Sequence, residues 1–467
     1  MSAIRRTHPE LWFIAALALS FFLLLPQHRL SRPIEMTVGA ALGVLATYML
    51  IRGRYDAAEQ TAGAPGPLRG FGTLIAKMSP TILLMSVFPL VIATLNSTDI
   101  GGIPAERVLL AVSVSVPWLS QAVCIAFYRH FWDLEDQRKT YQVAPRMFSR
   151  WPEIMVATLP VSVTFTAAVA LITDWPLITL AYVGAGMLLH SLFAQSLVLV
   201  NQTRNDALWV VSWVLYALVV LVAPTFWLLA PVFGMLPNIL IVALRGARIH
   251  RPSWAELGQH LVDTGRGFLT GSVLWADKFV LLLVVGTVYD IYVLYIALIP
   301  AVLAYSYYFA QLAPNFDLAV EKADAAIHHG TMTELRGRTS LVADVVAHAV
   351  ARTVAVAWVI ALTLAVVIQL IPGAPRLPLE LVVVPIGALV VTILSYQLEY
   401  IGHRATASLL SGLHLLAVLS LAVIPVPVAL PLVLAADVAI SIAGYVRIRQ
   451  VWGSMPYQMF WRFATQW

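Results

Sequence analysis

Charge is scarce in this chain: 11% of its 467 residues are Asp, Glu, Lys or Arg, against roughly 25% in ordinary soluble domains. A single soluble core with an anchor is excluded on that ground alone. Cysteine is scarcer still. Cys124 is the only one, which excludes an internal disulfide and a multi-cysteine metal site. Lysine is almost missing, with Lys77, Lys139, Lys278 and Lys322 the full set, so arginine carries the basic charge. With the abundance of Ala and Val, this is the composition expected of a bacterium with a GC-rich genome. No G-x-x-x-x-G-K-[ST] loop occurs, so direct use of ATP is not expected. Carboxylate dyads, H-E-x-x-H and G-x-S-x-G are missing too, so no enzyme activity, cofactor or metal is expected.

What fills the chain instead is apolar sequence: 60% of residues are hydrophobic, with a mean hydropathy of +0.83. A membrane-spanning helix needs about 20 mostly apolar residues. Runs of that kind, broken at charges and at Pro or Gly, number fourteen: 11–26, 34–51, 71–95, 105–128, 154–172, 176–200, 207–222, 226–244, 268–286, 291–312, 341–371, 381–400, 405–424 and 426–445. The first sits behind Arg5 and Arg6 as a signal peptide would, but no small-residue cleavage site follows, so it reads as an uncleaved anchor. An all-α polytopic membrane protein is the expected class.

The loops orient it. With the N-terminus inside, Arg129, Arg138, Lys139, Arg146 and Arg150 share one cytoplasmic loop, and Arg245, Arg248, Arg251 and Arg266 the next. Outside fall only Arg29, Arg32, Arg107 and Arg376. This positive-inside bias accounts for the net charge of +5 without a nucleic-acid partner. Both termini are therefore expected in the cytoplasm of a bacterial cell whose inner membrane holds the chain.

Against that apolar background Asp277 and Lys278 stand out, side by side in "GSVLWADKFVLLLVVG" (Gly271–Gly286). One ionised group near the bilayer centre costs at least ~2.5–3.5 kcal/mol. Neighbours on a helix point about 100° apart, so the two are expected to need separate partners or a wet cavity. Asp437, mid-depth in the last segment, is the clearest other carboxylate in an apolar run, and a Lys278–Asp437 contact is the expected pairing. A lysine that only snorkels or fixes helix packing is the alternative.

A five-residue repeat is also present: "RGFGT" (Arg69–Thr73) opens the third segment and "RGFLT" (Arg266–Thr270) the ninth. Six helices apart, the two would begin units of like orientation, a transporter arrangement. "GPLRGFGTLIAKMSPTILLM", "FYRHFWDLEDQ", "GSVLWADKFVLLL" and the stretch from Tyr295 to Leu335 resemble, in that order, blocks of the PelG-type exopolysaccharide transporters of the multidrug/oligosaccharidyl-lipid/polysaccharide (MOP) exporter superfamily. Where that family usually has Glu-Thr before a phenylalanine, this chain has Ala313-Pro314-Asn315-Phe316. The resemblance implies two six-helix lobes related by pseudo-two-fold symmetry around a cavity open to one side at a time. It implies an N-lobe over 66–250, a C-lobe over 251–447 and a tail over 448–467, with two added helices and a linker over 1–65. Trp275, Asp277, Lys278, Asp437 and Lys77 would then line the substrate path, and Pro80 would bend a gating helix.

Lys77 lies near the cytoplasmic end of its helix, so snorkelling explains it equally well, and Pro80 is unremarkable in a membrane helix. Asp344, His348 and Arg352 recur every four residues and form one stripe at the cytoplasmic mouth, either drawing a phosphate-bearing substrate or simply meeting solvent. His190, Gln195, Asn201 and Asn238 read as interhelical hydrogen bonds. Three function classes follow: an exporter of a polymeric or polyprenyl-linked glycan, coupled to protons, sodium or membrane potential; a membrane glycosyltransferase, disfavoured by the short outer loops; and a subunit docking a cytoplasmic glycosyltransferase. A drug/cation antiporter shares the first fold.

Overall fold

The computed structural model describes residues 79–464, apart from 81–82, 85, 89, 132–135, 204, 245–248, 252, 286–290 and 371–377. Segments 11–26 and 34–51, the RGFGT block and Lys77 lie outside the described residues. The fold is all-α. In hydrocarbon every backbone N–H and C=O must be satisfied internally, so long apolar runs become helices. Among the described residues nine helices are long and apolar enough to cross a membrane. The shorter apolar helix Asp206–Val222 adds to them.

Two compact units divide the chain, Gly72–Gly286 and a second holding Thr287–Trp467. The first unit contains α1 (Ala105–Arg129), α2 (Asp136–Ile172), α3 (Leu177–Thr203), α4 (Asp206–Val222), α5 (Ala230–Leu244) and α6 (Trp254–Val285). A two-residue hairpin precedes them, with β1 (Asp99–Ile100) antiparallel to β2 (Ile103–Pro104). Gly101 and Gly102 turn it at φ 65° and 90°, the conformation for which glycine is preferred in such turns. A Cβ on Gly101 would also sit 2.4 Å from Ile178 Cγ2.

The second unit contains α7 (Ile291–Tyr307), α8 (Ala313–His329), α9 (Met332–Leu370), α10 (Leu379–Tyr400), α11 (Arg404–Leu419) and α12 (Val426–Ala464). A π-helical turn, Tyr308–Leu312, joins α7 to α8. The breaks near Pro224 and Pro425 are both present. The first is a 3-10 turn over Pro224–Leu229, the second the gap before α12, as expected where proline removes a donor and crowds the preceding turn. Several helices run well past their apolar cores. α2 begins at Asp136, α6 at Trp254 and α9 at Met332, so the polar stretches before these apolar runs are in part helical extensions.

Each unit repeats one packing order. In the first, α1 packs on α2 and α3, α3 on α5, and α4 on α5. In the second, α7 packs on α9 and α10, α10 on α12, and α11 on α12. The closest packing in the first unit is between α1 and α6, so the helix that carries Asp277 and Lys278 lies against α1 and α2. The RGFLT block makes this approach possible. A Cβ on Gly267 would lie 2.5 Å from Gln121 O, and one on Gly271 2.8 Å from Trp118 O. Small residues four apart let two helix backbones touch. Trp118 Nε1 seals the seam by donating to Phe268 O at 2.7 Å.

Candidate functional site

Asp277 and Lys278 are both buried, at 2% and 5% exposure, and they pair with each other. Lys278 Nζ donates to Asp277 Oδ2 at 2.5 Å and to Leu274 O at 3.3 Å, while Lys278 N donates to Asp277 Oδ1 at 2.9 Å. The expectation that adjacent charges cannot neutralise one another is therefore corrected. The 100° offset applies to the Cα–Cβ bonds, but a four-carbon stem carries the ammonium back over its own turn toward Leu274. Half-buried Trp275 shares this turn. One turn on toward α1 and α2, Phe279 meets Phe165 at 5.1 Å and Trp118 at 6.0 Å between ring centroids.

Asp437 lies in the second unit. Its Oδ1 is 2.5 Å from His414 Nδ1, with both residues fully buried between α11 and α12. His414 Nε2 and the nearby Ser441 Oγ are buried with no hydrogen-bond partner among the described residues. α10 closes over the pair at Gly387, where a Cβ would lie 3.2 Å from Asp437 Oδ2. The pair is enclosed among α10, α11 and α12. Sequence reasoning missed His414; the signal was a lone histidine inside the apolar run "SGLHLLAV".

The remaining candidates are placed as follows. Asp344 and Arg352 are half-buried and His348 exposed on α9, with His348 Nδ1 2.7 Å from Asp344 O. Pro80 is half-buried in helical backbone. The polar residues read as interhelical bonds include a buried His190, which joins Tyr216 Oη at 2.8 Å. Gln195 accepts from Trp151 Nε1 at 2.8 Å, and Asn238 donates to Ser196 and Ser212 at 3.1 and 3.2 Å.

A second polar cluster, unforeseen from sequence, gathers where the C-terminal end of α1 meets α2 and α6. His260 Nε2 lies 2.8 Å from Glu153 Oε1, and both side chains are almost fully buried. Arg150 holds Glu153 and Glu256, each at 3.2 Å. Ser253 and Glu256 cap α6 reciprocally, Ser253 N donating to Glu256 Oε2 at 2.8 Å and Glu256 N to Ser253 Oγ at 3.3 Å. The Ser253 amide first, then His250 and Arg150, draw the Glu256 carboxyl down to about 2 from 4.5.

No protein-family model matches the chain, and no curated protein matches its sequence. Solved structures do match. A MOP superfamily transporter from Pyrococcus furiosus, whose reversed pocket polarity was taken to suggest a different function, is 12% identical. The match covers 82% of this chain and 94% of that one, with a TM-score of 0.50. The fold resembles that of this MOP superfamily transporter. An outward-facing multidrug-resistance MATE transporter of the same superfamily is 13% identical over 85% of this chain and 99% of its own, with a TM-score of 0.46. At this identity the MOP likeness concerns architecture alone.

Proposed function

We propose that the chain is a membrane transporter that moves a glycan, polymeric or polyprenyl-linked, from the cytoplasmic to the outer side of a bacterial inner membrane by alternating access. The observation that carries a transport role is the placement of ionisable groups, Asp277 with Lys278 and His414 with Asp437, at buried positions in apolar helices of a MOP fold. Ionisable residues within membrane helices mark ion and substrate pathways or proton relays. Glycan as the cargo is supported by the four sequence blocks that resemble PelG-type exporters, the WADKF block among them. The His414–Asp437 pair is the group through which a proton would be coupled, and ATP is not used. A cytoplasmic glycosyltransferase is the partner such an exporter would receive its glycan from.

The test separates glycan from drug. In the native bacterium, disruption of the gene is expected to remove an extracellular polysaccharide while leaving sensitivity to ethidium and other cationic drugs unchanged. Unchanged surface polysaccharide together with increased drug sensitivity would replace this reading with a drug/cation antiporter. Purified alone, the chain is expected to turn over neither nucleotide sugars nor ATP.

A further inference from the structure

We propose that His130, Glu153 and His260 form a binding site for one divalent transition-metal ion, with zinc the preferred occupant. The three donor atoms lie within 4.8 Å of one another, supplied by three different elements: the C-cap of α1, the body of α2 and the body of α6. Donors bound at about 2.0–2.2 Å to one zinc stand roughly 3–4 Å apart, so a rotamer change in one imidazole closes the set. His130 can make that change, since it is only half-buried at a helix end.

Several features point to a ligand rather than to packing. His260 is 2% exposed, yet its Nδ1 is buried with no hydrogen-bond partner among the described residues. A neutral imidazole makes two hydrogen bonds, and buried polar groups are ordinarily satisfied. The His130 ring stands edge-on to it, 5.3 Å between centroids. Glu153 is an anionic donor available to a cation, and it shares the guanidinium of Arg150 with Glu256; the Arg146 guanidinium is engaged with the His130 carbonyl at 2.9 Å. Arg150 already bridges to Glu256 and can stay there when Glu153 turns to the ion. Two imidazoles with one carboxylate suit zinc and its neighbours, whereas magnesium and calcium prefer all-oxygen sets. Bound there, the ion would tie the C-terminal end of α1 to α2 and α6.

The experiment uses the purified full-length chain in detergent, stripped with chelator and then exposed to Zn2+ alone or Mg2+ alone. After desalting, elemental analysis should find one zinc per chain and no magnesium, and zinc should raise the melting temperature. His130→Asn and His260→Asn should each weaken zinc binding by at least about 100-fold, beyond the range for losing an outer-shell partner. His130→Asn lies at a half-buried helix end, so it decides the matter even if His260→Asn fails to fold. Zinc missing from the desalted wild type would overturn the proposal. So would equal zinc affinity in wild type and His130→Asn, which would place the ion elsewhere.

Discussion

At the scale of the residue, the Asp277–Lys278 pair changes what a mutation should do. Had each charge faced a wet cavity, removing one would hardly affect stability. Buried together, they depend on each other, and deleting one partner of such a pair costs about 3–5 kcal/mol. Lys278→Met is therefore expected to lower thermal stability in detergent strongly, and Asp277→Leu with Lys278→Met to restore it to wild type or above. A silent Lys278→Met melt would return the lysine to a solvated path. What sequence could show here was the presence of two buried charges. What it could not show was their pairing, because an angular argument made at Cβ ignores the length of a lysine stem. Asp437 illustrates the complementary limit: its partner His414 sits on another helix, and nothing in a linear pattern sets the rotation of α11 against α12.

At the scale of the element, helix α6 is held at two places by different physics. Its glycine seam admits no side chain: Gly267→Leu would drive a Cβ to 2.5 Å from Gln121 O, and overpacking of this sort costs ~1–3 kcal/mol. Gly258, whose added Cβ would meet nothing within 4 Å, is the matched control, and Gly258→Ala should melt like wild type. The other hold is the Ser253–Glu256 cap. Because folding lowers the Glu256 pKa from 4.5 to about 2, its stabilisation is complete above pH 4.5 and is lost as pH falls toward 2. Glu256→Gln should accordingly flatten the acid limb of the melting profile between those values. The Ser253–Glu256 capping box emerged only with the structure; RGFLT was legible as a repeat, but its role as a seam appeared only with α1 alongside it. Helix starts were the least legible feature, since α2, α6 and α9 continue into polar sequence where apolar length gives no boundary.

At the scale of the whole molecule, the all-α membrane character was legible, because hydrocarbon leaves a chain few choices; of the fourteen expected segments, nine spans and one shorter apolar helix are found among the described residues. The repeat surfaced weakly in five letters and plainly in packing order, where α1–α5 and α7, α9–α12 make corresponding contacts. Orientation can be tested with the chain's own poverty in cysteine. Cys124 is buried, so introduced thiols report alone. Asp174 and Arg251 are both exposed. In intact cells Asp174→Cys should react with a membrane-impermeant maleimide from outside, and Arg251→Cys should react only after lysis. The reverse pattern would invert the positive-inside assignment.

The pairing of Asp277 with its immediate neighbour also bears on how the chain is made. A counter-ion donated by a helix still to be synthesised would leave α6 entering the bilayer with a bare charge. Here the counter-ion leaves the ribosome one residue away, so the segment can be handed to the lipid already neutral, before α7–α12 exist. His414 likewise precedes Asp437 in the chain, so the later carboxylate arrives to find its partner waiting.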